Sequence, residues 1–498
     1  MSGVALPDRG SALIRAGVIL SATYLLSRIL GYARTLVLGT TFGAGPELDA
    51  FFAAFRLPDL IYQVVAAGAM GSALIPVLSG LLAKGERAHA WRVVATLANL
   101  LLVALAILAA IAFVTAPTLV RFLTPGFDAE GLARTVDLTR IMLAAPIMLA
   151  LGAVATSALN AEGRFTAAAL APIVYNIMII AGAVVLGPTL GVTGLAIGVV
   201  VGAAGHLAIQ LPSILRLGFR PILRIDMDDG AARRVLALLG PRALGLGATQ
   251  VTFIVMTALA SSQGAGAVST YAIAFALLQI PLGVIGIPLG IVIFPSMSRE
   301  HSLGAVETYV SLVTRAVRLL IFVMVPIVAI GMALRVPMVE LLFGYGRFDR
   351  EAIDGTAAVL AAFLVGLPAH ASIAVLARAF YARQDTRTPV LAAIVAVVIN
   401  TTLGVMLVGS LGLPGLAAAI AIGAWVEAVY LLVALGRDVP TFAPSRIVRV
   451  LGESVVGALA VGVSAVLGEL VAPGSAKLAI LVGLSLASLA GVGIYLAV

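Results

Sequence analysis

Long, uninterrupted apolar segments constrain this chain more than any other feature. They are rich in Ala, Leu, Val and Gly, and they recur along nearly all of the 498 residues. Hydrophobic residues make up 61% of the chain and charged residues only 11%, which is far too apolar for a water-soluble fold. A membrane barrel would instead show short strands of alternating polarity. The sequence therefore predicts an all-α polytopic membrane protein, because a helix satisfies its own backbone hydrogen bonds in lipid.

The breaks in hydropathy predict about 14 transmembrane helices, each with the roughly 20 apolar residues that a crossing needs. Twenty Lys and Arg residues fall on the side of the N-terminus and seven on the opposite side. The positive-inside rule therefore predicts that both termini are cytoplasmic. The first span is too long for a signal-peptide core and is expected to remain as an anchor. The predicted spans are residues 10–41, 47–82, 90–118, 136–159, 165–187, 190–214, 234–261, 267–297, 308–334, 353–380, 388–409, 412–436, 445–468 and 475–498.

The chain contains an internal repeat with an offset of 221 residues. The segment 43–45 (Gly-Ala-Gly) recurs at 264–266, and the Gly-x-x-Gly-Leu-Ala segment that begins at Gly191 recurs at Gly412. A repeat of six spans enters the membrane twice in the same direction, which is typical of transporters with two lobes and alternating access. The prediction is an N-terminal six-helix lobe over 1–222, a C-terminal six-helix lobe over 223–440 and two extra helices over 441–498.

Charged side chains inside the first two spans mark a candidate substrate site, because a charge in lipid is costly and usually faces a cavity or a partner. Arg28 and Arg34 lie in span one and Arg56 in span two. The polar residues of span two fall within about 80° of one another on an ideal helix. Guanidinium groups suit phosphate, so we interpret this region as a cationic site for an anionic group. The candidate substrate-binding residues are Arg28, Arg34, Asp49, Arg56, Asp59, Gln63 and, from the second lobe, Gln279.

A structural interpretation of the same charges stays open. Arg56 could pair with Asp59, one turn away, or with Asp49. Arg34 could extend its side chain to the outer interface.

The second lobe offers a candidate site for a coupling cation. Asn400 and Glu427 are polar groups within predicted spans, and together they could hold sodium or carry a proton. A protonated structural Glu427 is the alternative. No other cofactor and no metal site is expected, because the chain has no cysteine and its four histidines are scattered.

The soluble segments give no sign of a nucleic-acid partner or of an enzyme. The net charge is +8, but the basic residues do not cluster on one water-facing surface as nucleic-acid binding requires. The acidic segment 226–229 (Asp-Met-Asp-Asp) precedes the seventh span, where acidic residues serve as helix N-caps.

A long motif in the first two spans is shared with a known family. It reads Ser27-Arg-Ile-Leu-Gly-Tyr-Ala-Arg34, then Phe42-Gly-Ala-Gly45, Asp49-Ala-Phe-Phe and Ala54-Phe-Arg-Leu-Pro58, with later matches at Leu239-Gly-Pro241, Pro281-x-Gly-Val-x-Gly286 and Phe294-Pro-Ser296. On these motifs the chain resembles the MviN/MurJ family of lipid II flippases over essentially its whole length. The resemblance implies the multidrug/oligosaccharidyl-lipid/polysaccharide-exporter fold. It also implies transfer of an undecaprenyl-pyrophosphate-linked peptidoglycan precursor from the cytoplasmic to the outer leaflet of the bacterial inner membrane.

The resemblance also implies roles and partners. In that family the arginines that match Arg28 and Arg34 lie in the central cavity and are needed for function, as is the acidic residue that matches Asp49. The last two helices form a groove proposed for the lipid tail. The expected partners are the lipid-linked precursor and membrane lipids, and a monomer is expected.

Several polar positions depart from the family pattern. Thr35 stands where the family usually has Asp. Tyr62, Gln63 and Ala67 replace paired arginines and a Glu of span two, and Ala276 and Gln279 replace an Arg and a Glu of span eight. These losses leave open another polyprenyl-linked glycan as substrate, a cation-coupled drug exporter of the same fold, or a transport-inactive scaffold. A drug exporter would favour acidic cavity residues, and the excess of arginine over carboxylate in the first lobe argues against it.

Overall fold

The computed structural model describes residues 9–65 and 69–471, and within them it contains α-helices, π-helical turns and loops but no strand. The α-helices are α1 (Arg9–Phe42), α2 (Pro46–Val65), α3 (Ala69–Ala83), α4 (Arg87–Leu123), α5 (Ala129–Met142), α6 (Ala144–Ala161), α7 (Phe165–Ala181), α8 (Gly187–Leu190), α9 (Val192–Ala208), α10 (Leu211–Arg216), α11 (Gly230–Ser261), α12 (Ala267–Pro281), α13 (Ile287–Ser302), α14 (Val306–Ala333), α15 (Arg335–Phe343), α16 (Arg350–Val365), α17 (Leu367–Ala382), α18 (Arg387–Asp438) and α19 (Pro444–Val471).

The lengths and compositions of these helices suit a membrane. Among the residues with described structure, seven helical stretches are long and apolar enough to cross a bilayer, and the bent pair α16–α17 makes an eighth. The prediction of an all-α polytopic membrane protein is confirmed. The count of 14 spans stays a prediction, and the last predicted span, 475–498, lies outside the described residues.

Two predicted spans differ in shape from straight helices. Residues 353–380 were expected to form one span, but α16 and α17 meet at a bend of 44°. The bend lies at Gly366, and Pro368 opens the helix that follows because a proline fits only the first turn. In α18, the 52 residues would reach about 80 Å as one straight helix, far more than a bilayer crossing needs. The backbone leaves helical geometry at Gly412, which divides α18 into the two predicted spans 388–409 and 412–436.

The internal repeat has a counterpart in backbone geometry. Gly191 has φ 58° and ψ −143°, and Gly412, 221 residues later, has φ 60° and ψ −141°. Only glycine adopts this region without strain. At the next glycines of the motif, Gly194 and Gly415, an added Cβ would lie 2.9 Å and 2.7 Å from a preceding carbonyl oxygen. The same turn is therefore built twice, once in each half of the chain.

The chain divides into two compact units, one of Met1–Phe42 with Pro46–Gln250 and one of Gly43–Gly45 with Val251–Val498. In the first unit the π-helical turn that follows α7 approaches α9 closely through glycines, since a Cβ on Gly182 would lie 2.7 Å from the Cα of Gly198. Small residues of this kind hold membrane helices together. In the second unit α14 packs on α19 and on α17. The lobe boundaries given above stay a prediction.

In the loop before α11, the interpretation of the acidic residues as capping groups is confirmed for Asp229, whereas Asp226 and Asp228 pair with Arg224 and Arg233. Asp229 Oδ1 accepts hydrogen bonds from the backbone N–H groups of Ala231 at 2.8 Å and Ala232 at 3.3 Å, and its Oδ2 lies 2.8 Å from Nε2 of His89. Burial alone would raise the pKa of Asp229. The two N–H groups and the His89 ring outweigh burial, so the pKa of this carboxyl lies below its usual value.

Candidate functional site

Arg34 on α1 is the centre of a polar group in the first unit. Its side chain is partly buried, and it interacts electrostatically with Tyr175 on α7 and Asp59 on α2. In the part of the chain that the structure describes, Arg34 forms no ion pair with a contacting carboxylate. A guanidinium in this setting keeps charge available for an anion.

Asp59 joins three helices through its carboxylate. Gln63 Nε2, one turn later on α2, lies 3.4 Å from Asp59 Oδ1, and Gln250 Nε2 on α11 lies 3.4 Å from Asp59 Oδ2. Asp59 also interacts electrostatically with Arg56 and Arg34. Asp59 therefore interacts with Arg56 and Gln63, which the predicted polar stripe of span two places on its face, and also with Arg34 from α1.

Glycines make room for Tyr175 and for the polar residue beside it. On α9, a Cβ added to Gly202 would lie 2.9 Å from the carbonyl oxygen of Tyr175 and 3.0 Å from its ring. On α1, a Cβ added to Gly31 would lie 4.0 Å from Oδ1 of Asn176, whose Nδ2 donates to the carbonyl of Pro172 at 2.9 Å. Tyr175 is therefore closely packed against α9 at Gly202, and the neighbouring Asn176 faces Gly31 on α1.

Arg28 lies on α1 between two tyrosines. Its Nε and Nη2 donate to Oη of Tyr24 at 3.2 and 2.8 Å, and its guanidinium carbon is 5.2 Å from the centre of the Tyr24 ring. Tyr32, one turn later, also hydrogen-bonds Arg28. Tyr24 is 49% exposed. The hydrogen-bond partners of Arg28 are therefore phenol groups, and no carboxylate among the residues described forms an ion pair with it.

Asp49 lies near the start of α2, N-terminal to the members of the polar group on this helix. It is 1% exposed and sits in the first turn of α2, where the helix dipole favours a negative charge. Ten residues separate it from Asp59, which is about 15 Å along the helix axis.

The candidate residues of the second unit lie on α12 and α18. Gln279 is partly buried on α12. Asn400 is buried, packs against Gly423, and its Oδ1 has no hydrogen-bond partner within the described part. Glu427 follows Gly423 by one turn and interacts electrostatically with Tyr381 on α17. The amide oxygen of Asn400 therefore points at the helix turn that precedes Glu427.

Two members of the polar group were not predicted as site residues. Tyr175 lies in an otherwise apolar span, and its only sequence signal is the neighbouring Asn176. Gln250 falls in the predicted second lobe, yet its side chain reaches Asp59 in the first unit.

Of the replaced family positions, Tyr62 interacts with Asp59 and Tyr175, Thr35 donates to the carbonyl of Gly31 at 3.2 Å, and Ala67 lies outside the described residues.

Solved structures of transporters share this fold. A lipid II flippase MurJ in an inward closed conformation superposes with a TM-score of 0.81, at 21% identity over 96% of this chain and 97% of that one. An inward-facing multidrug resistance MATE family transporter of the MOP superfamily superposes with a TM-score of 0.72, at 16% identity over 85% of this chain and 98% of that one. The fold and the cationic group within it define a multi-pass membrane transport protein.

Sequence comparison gives the family. The family model described as lipid II flippase MurJ matches residues 38–482. The lipid II flippase MurJ of Burkholderia cenocepacia is 31% identical over 435 residues, covering 85% of this chain and 84% of the relative. A probable lipid II flippase MurJ of Rhizobium meliloti is 32% identical over 453 residues, covering 86% and 83%. The chain belongs to the lipid II flippase MurJ family.

Proposed function

We propose that this chain transfers lipid II, the undecaprenyl-pyrophosphate-linked peptidoglycan precursor, from the cytoplasmic to the outer leaflet. The observation that carries the proposal is Arg34, a partly buried guanidinium with no contacting carboxylate among the described residues, in a chain of this family. The pyrophosphate of the substrate is anionic, and guanidinium groups bind phosphate oxygens through paired N–H donors.

The arginines of α1 lower the cost of moving the headgroup. A phosphate taken from water into a low-dielectric interior loses several kcal/mol of solvation unless charge and hydrogen bonds replace the water. Arg34 supplies positive charge, and Arg28 exchanges its hydrogen bonds to Tyr24 for phosphate oxygens. Asp59 and Gln63 keep the neighbouring side chains in place. In the second unit, Gln279 is proposed to bind the substrate through its neutral amide. Alternating access of the site carries the headgroup across while the prenyl tail stays in lipid.

A coupling cation is part of the proposal. Asn400 presents a buried amide oxygen and Glu427 a carboxylate near Tyr381, and oxygen ligands of this kind suit sodium, while a carboxylate can carry a proton.

The setting is the bacterial inner membrane, with a monomer acting on membrane lipid and both termini in the cytoplasm. The distribution of Lys and Arg supports this orientation. Because the chain has no cysteine, a single cysteine placed at Lys84 or at Glu130 reports it directly. A membrane-impermeant maleimide added to intact cells should label Glu130→Cys and spare Lys84→Cys. The reverse pattern would show the opposite orientation.

Rescue of cells depleted of their own lipid II flippase tests the proposal. The chain should restore growth, and Arg34→Ala should abolish rescue, because losing a charge-assisted contact to the pyrophosphate lowers transport by about 30-fold or more. Arg34→Lys keeps the charge and should retain part of the activity. Arg134→Ala is the matched control, since Arg134 is, like Arg34, a partly buried arginine, but it pairs with Glu130 on α5.

Binding measurements separate a flippase from a transport-inactive scaffold. The purified chain should bind a short-chain polyprenyl pyrophosphate, and Arg28→Ala and Arg34→Ala should weaken that binding while the elution profile in detergent stays unchanged. Full rescue by Arg34→Ala would contradict the role of the arginine. Absence of pyrophosphate binding by the unmodified chain would favour a scaffold.

A further inference from the structure

A cavity of about 420 Å³ lies between the first turns of α4 and the segment that leads from α10 towards α11. Four arginines line it, together with Trp91 and one carboxylate, that of Asp226. All of these residues belong to the first unit, and none belongs to the polar group around Arg34. The lining arginines are Arg87, Arg92, Arg220 and Arg224.

The cavity carries an excess of positive charge. Arg87 pairs with Glu162 at 3.0 Å, and Arg224 pairs with Asp226 at 3.1 Å. The other two lining arginines, Arg92 and Arg220, form no ion pair with any carboxylate that the structure describes. Two uncompensated guanidinium groups on one cavity favour an anionic ligand.

The segment 219–227, here called the interface strap, is tied to α4 along its length. Nδ2 of Asn99 donates to the carbonyls of Ile222 at 2.6 Å and Arg224 at 3.0 Å. The backbone N–H of Asp226 donates to Oγ1 of Thr96 at 3.4 Å, and the Phe219 ring stacks edge-on against Trp91 at 5.7 Å. The strap is therefore a fixed wall of the cavity.

The length of α4 places the strap at the level of the lipid headgroups. Helix α4 carries no charge between Arg92 and Arg121, and the 21 residues 100–120, which follow the polar Asn99, include no polar side chain other than two threonines. These 21 residues span about 31 Å at 1.5 Å per residue, which matches the hydrocarbon core of a bilayer. Asn99 and the strap that it holds then lie at the boundary of that core, on the side that carries most of the Lys and Arg residues.

The strap presents apolar side chains beside its arginines. Leu223, between the two carbonyls bound by Asn99, is 94% exposed. Apolar side chains can contact acyl chains and neighbouring arginines can contact phosphates where these two layers of the bilayer meet. A soluble anion would gain nothing from them. The other large exposed apolar residues of the strap are Ile222, Ile225 and Met227.

We propose that this cavity binds the headgroup phosphate of an acidic glycerophospholipid from the surrounding leaflet, with Arg92 and Arg220 on the phosphate and the acyl chains against Leu223. Nε1 of Trp91 is buried and has no hydrogen-bond partner within the described part of the chain. An indole at a membrane interface pairs an apolar ring with such a polar donor. This proposal does not depend on lipid II transport, because the residues that line the cavity are not those of the polar group around Arg34.

Fluorescence of Trp91 tests the proposal. The chain has two tryptophans, so Trp425→Phe leaves Trp91 as the only one. Dioctanoyl phosphatidylglycerol added to this protein in detergent should change the emission in a saturable manner, and dioctanoyl phosphatidylcholine should not. Arg92→Gln with Arg220→Gln should weaken the apparent affinity about 30-fold, which corresponds to about 1 kcal/mol for each arginine.

Controls separate this site from general charge and from soluble phosphate. Arg134→Gln with Arg350→Gln removes the same charge at positions that do not line the cavity and should leave the affinity unchanged. Leu223→Ser, at an exposed position that the fold does not need, should also weaken lipid binding. An equal response to phosphatidylcholine, saturation by glycerol phosphate at the same concentrations, or unchanged affinity of both the arginine and the Leu223 variants would overturn the proposal.

Discussion

At the scale of single residues, the site depends on glycine as much as on arginine. Tyr175 interacts with Arg34, and it packs so closely on α9 that residue 202 must be a glycine, which has no side chain. Arg34 in turn interacts with a phenol and a shared carboxylate, and it forms no direct ion pair among the described residues. The surroundings of the Arg34 charge therefore depend on uncharged residues, Tyr175 and Gly202, as well as on the charged ones.

Gly202→Ala should disturb the site through packing alone. The added Cβ would lie 2.9 Å from the carbonyl oxygen of Tyr175, and overpacking of this kind costs about 1–3 kcal/mol. We expect a lower midpoint of thermal unfolding in detergent and slower flipping, because Tyr175 moves relative to Arg34. Gly80→Ala on α3 is the matched control, since nothing lies within 4 Å of its added Cβ. Equal midpoints for the two variants would show that the close approach at Gly202 is not a constraint.

The composition of the site was predictable along one helix and not across helices. The 3.6-residue period placed Asp59 and Gln63 on one face, and the structure joins them by a hydrogen bond. Tyr175 and Gln250 lie on α7 and α11, and their approach to Asp59 depends on tertiary packing. A single sequence carries no signal for such a contact.

At the scale of helices, hydropathy predicted where the chain runs through the membrane but not how each helix is shaped. Polarity sets the ends of the apolar stretches, and the observed stretches Phe165–Leu190 and Val306–Ala333 correspond closely to the predicted spans 165–187 and 308–334. Local backbone geometry escapes this reasoning. The segments Gly182–Leu186 and Leu282–Gly286 are π-helical turns within otherwise α-helical stretches. Each rotates the following residues relative to an ideal helix, so the assignment of shared faces fails beyond it.

Glycine and proline patterns did carry shape information where two copies could be compared. Gly191 and Gly412 recur at the repeat offset, and both adopt the same positive φ. A glycine in a membrane helix has many uses, so one copy alone is a weak signal. The bend between α16 and α17 has no such second copy, and the sequence favoured a straight span there.

At the scale of the whole molecule, the two compact units carry different chemistry. The first contains the arginines of α1 and α2, and the second contains Asn400 and Glu427 on α18. Under the proposed function, the first unit binds the phosphate and the second binds the coupling cation, and two ligands that bind the same protein can be linked energetically.

Replacement of Glu427 tests this division of roles. Glu427→Gln keeps the shape of the side chain and removes the group that carries a proton or binds sodium. Flipping in spheroplasts should slow by about tenfold or more, as loss of one charged ligand implies. The remaining rate should no longer respond to sodium or to a pH gradient. Asn400→Ala should produce the same loss of ion response.

The control for this experiment is another carboxylate in the same unit. Glu453 on α19 is exposed and pairs with Arg449 at 2.8 Å, so Glu453→Gln removes an equal charge without touching the pair on α18. Its flipping should match that of the unmodified chain in rate and in ion response. If Glu427→Gln and Asn400→Ala behave in the same way as this control, the second unit does not hold the coupling ion, and the membrane potential acting on the headgroup itself supplies the energy.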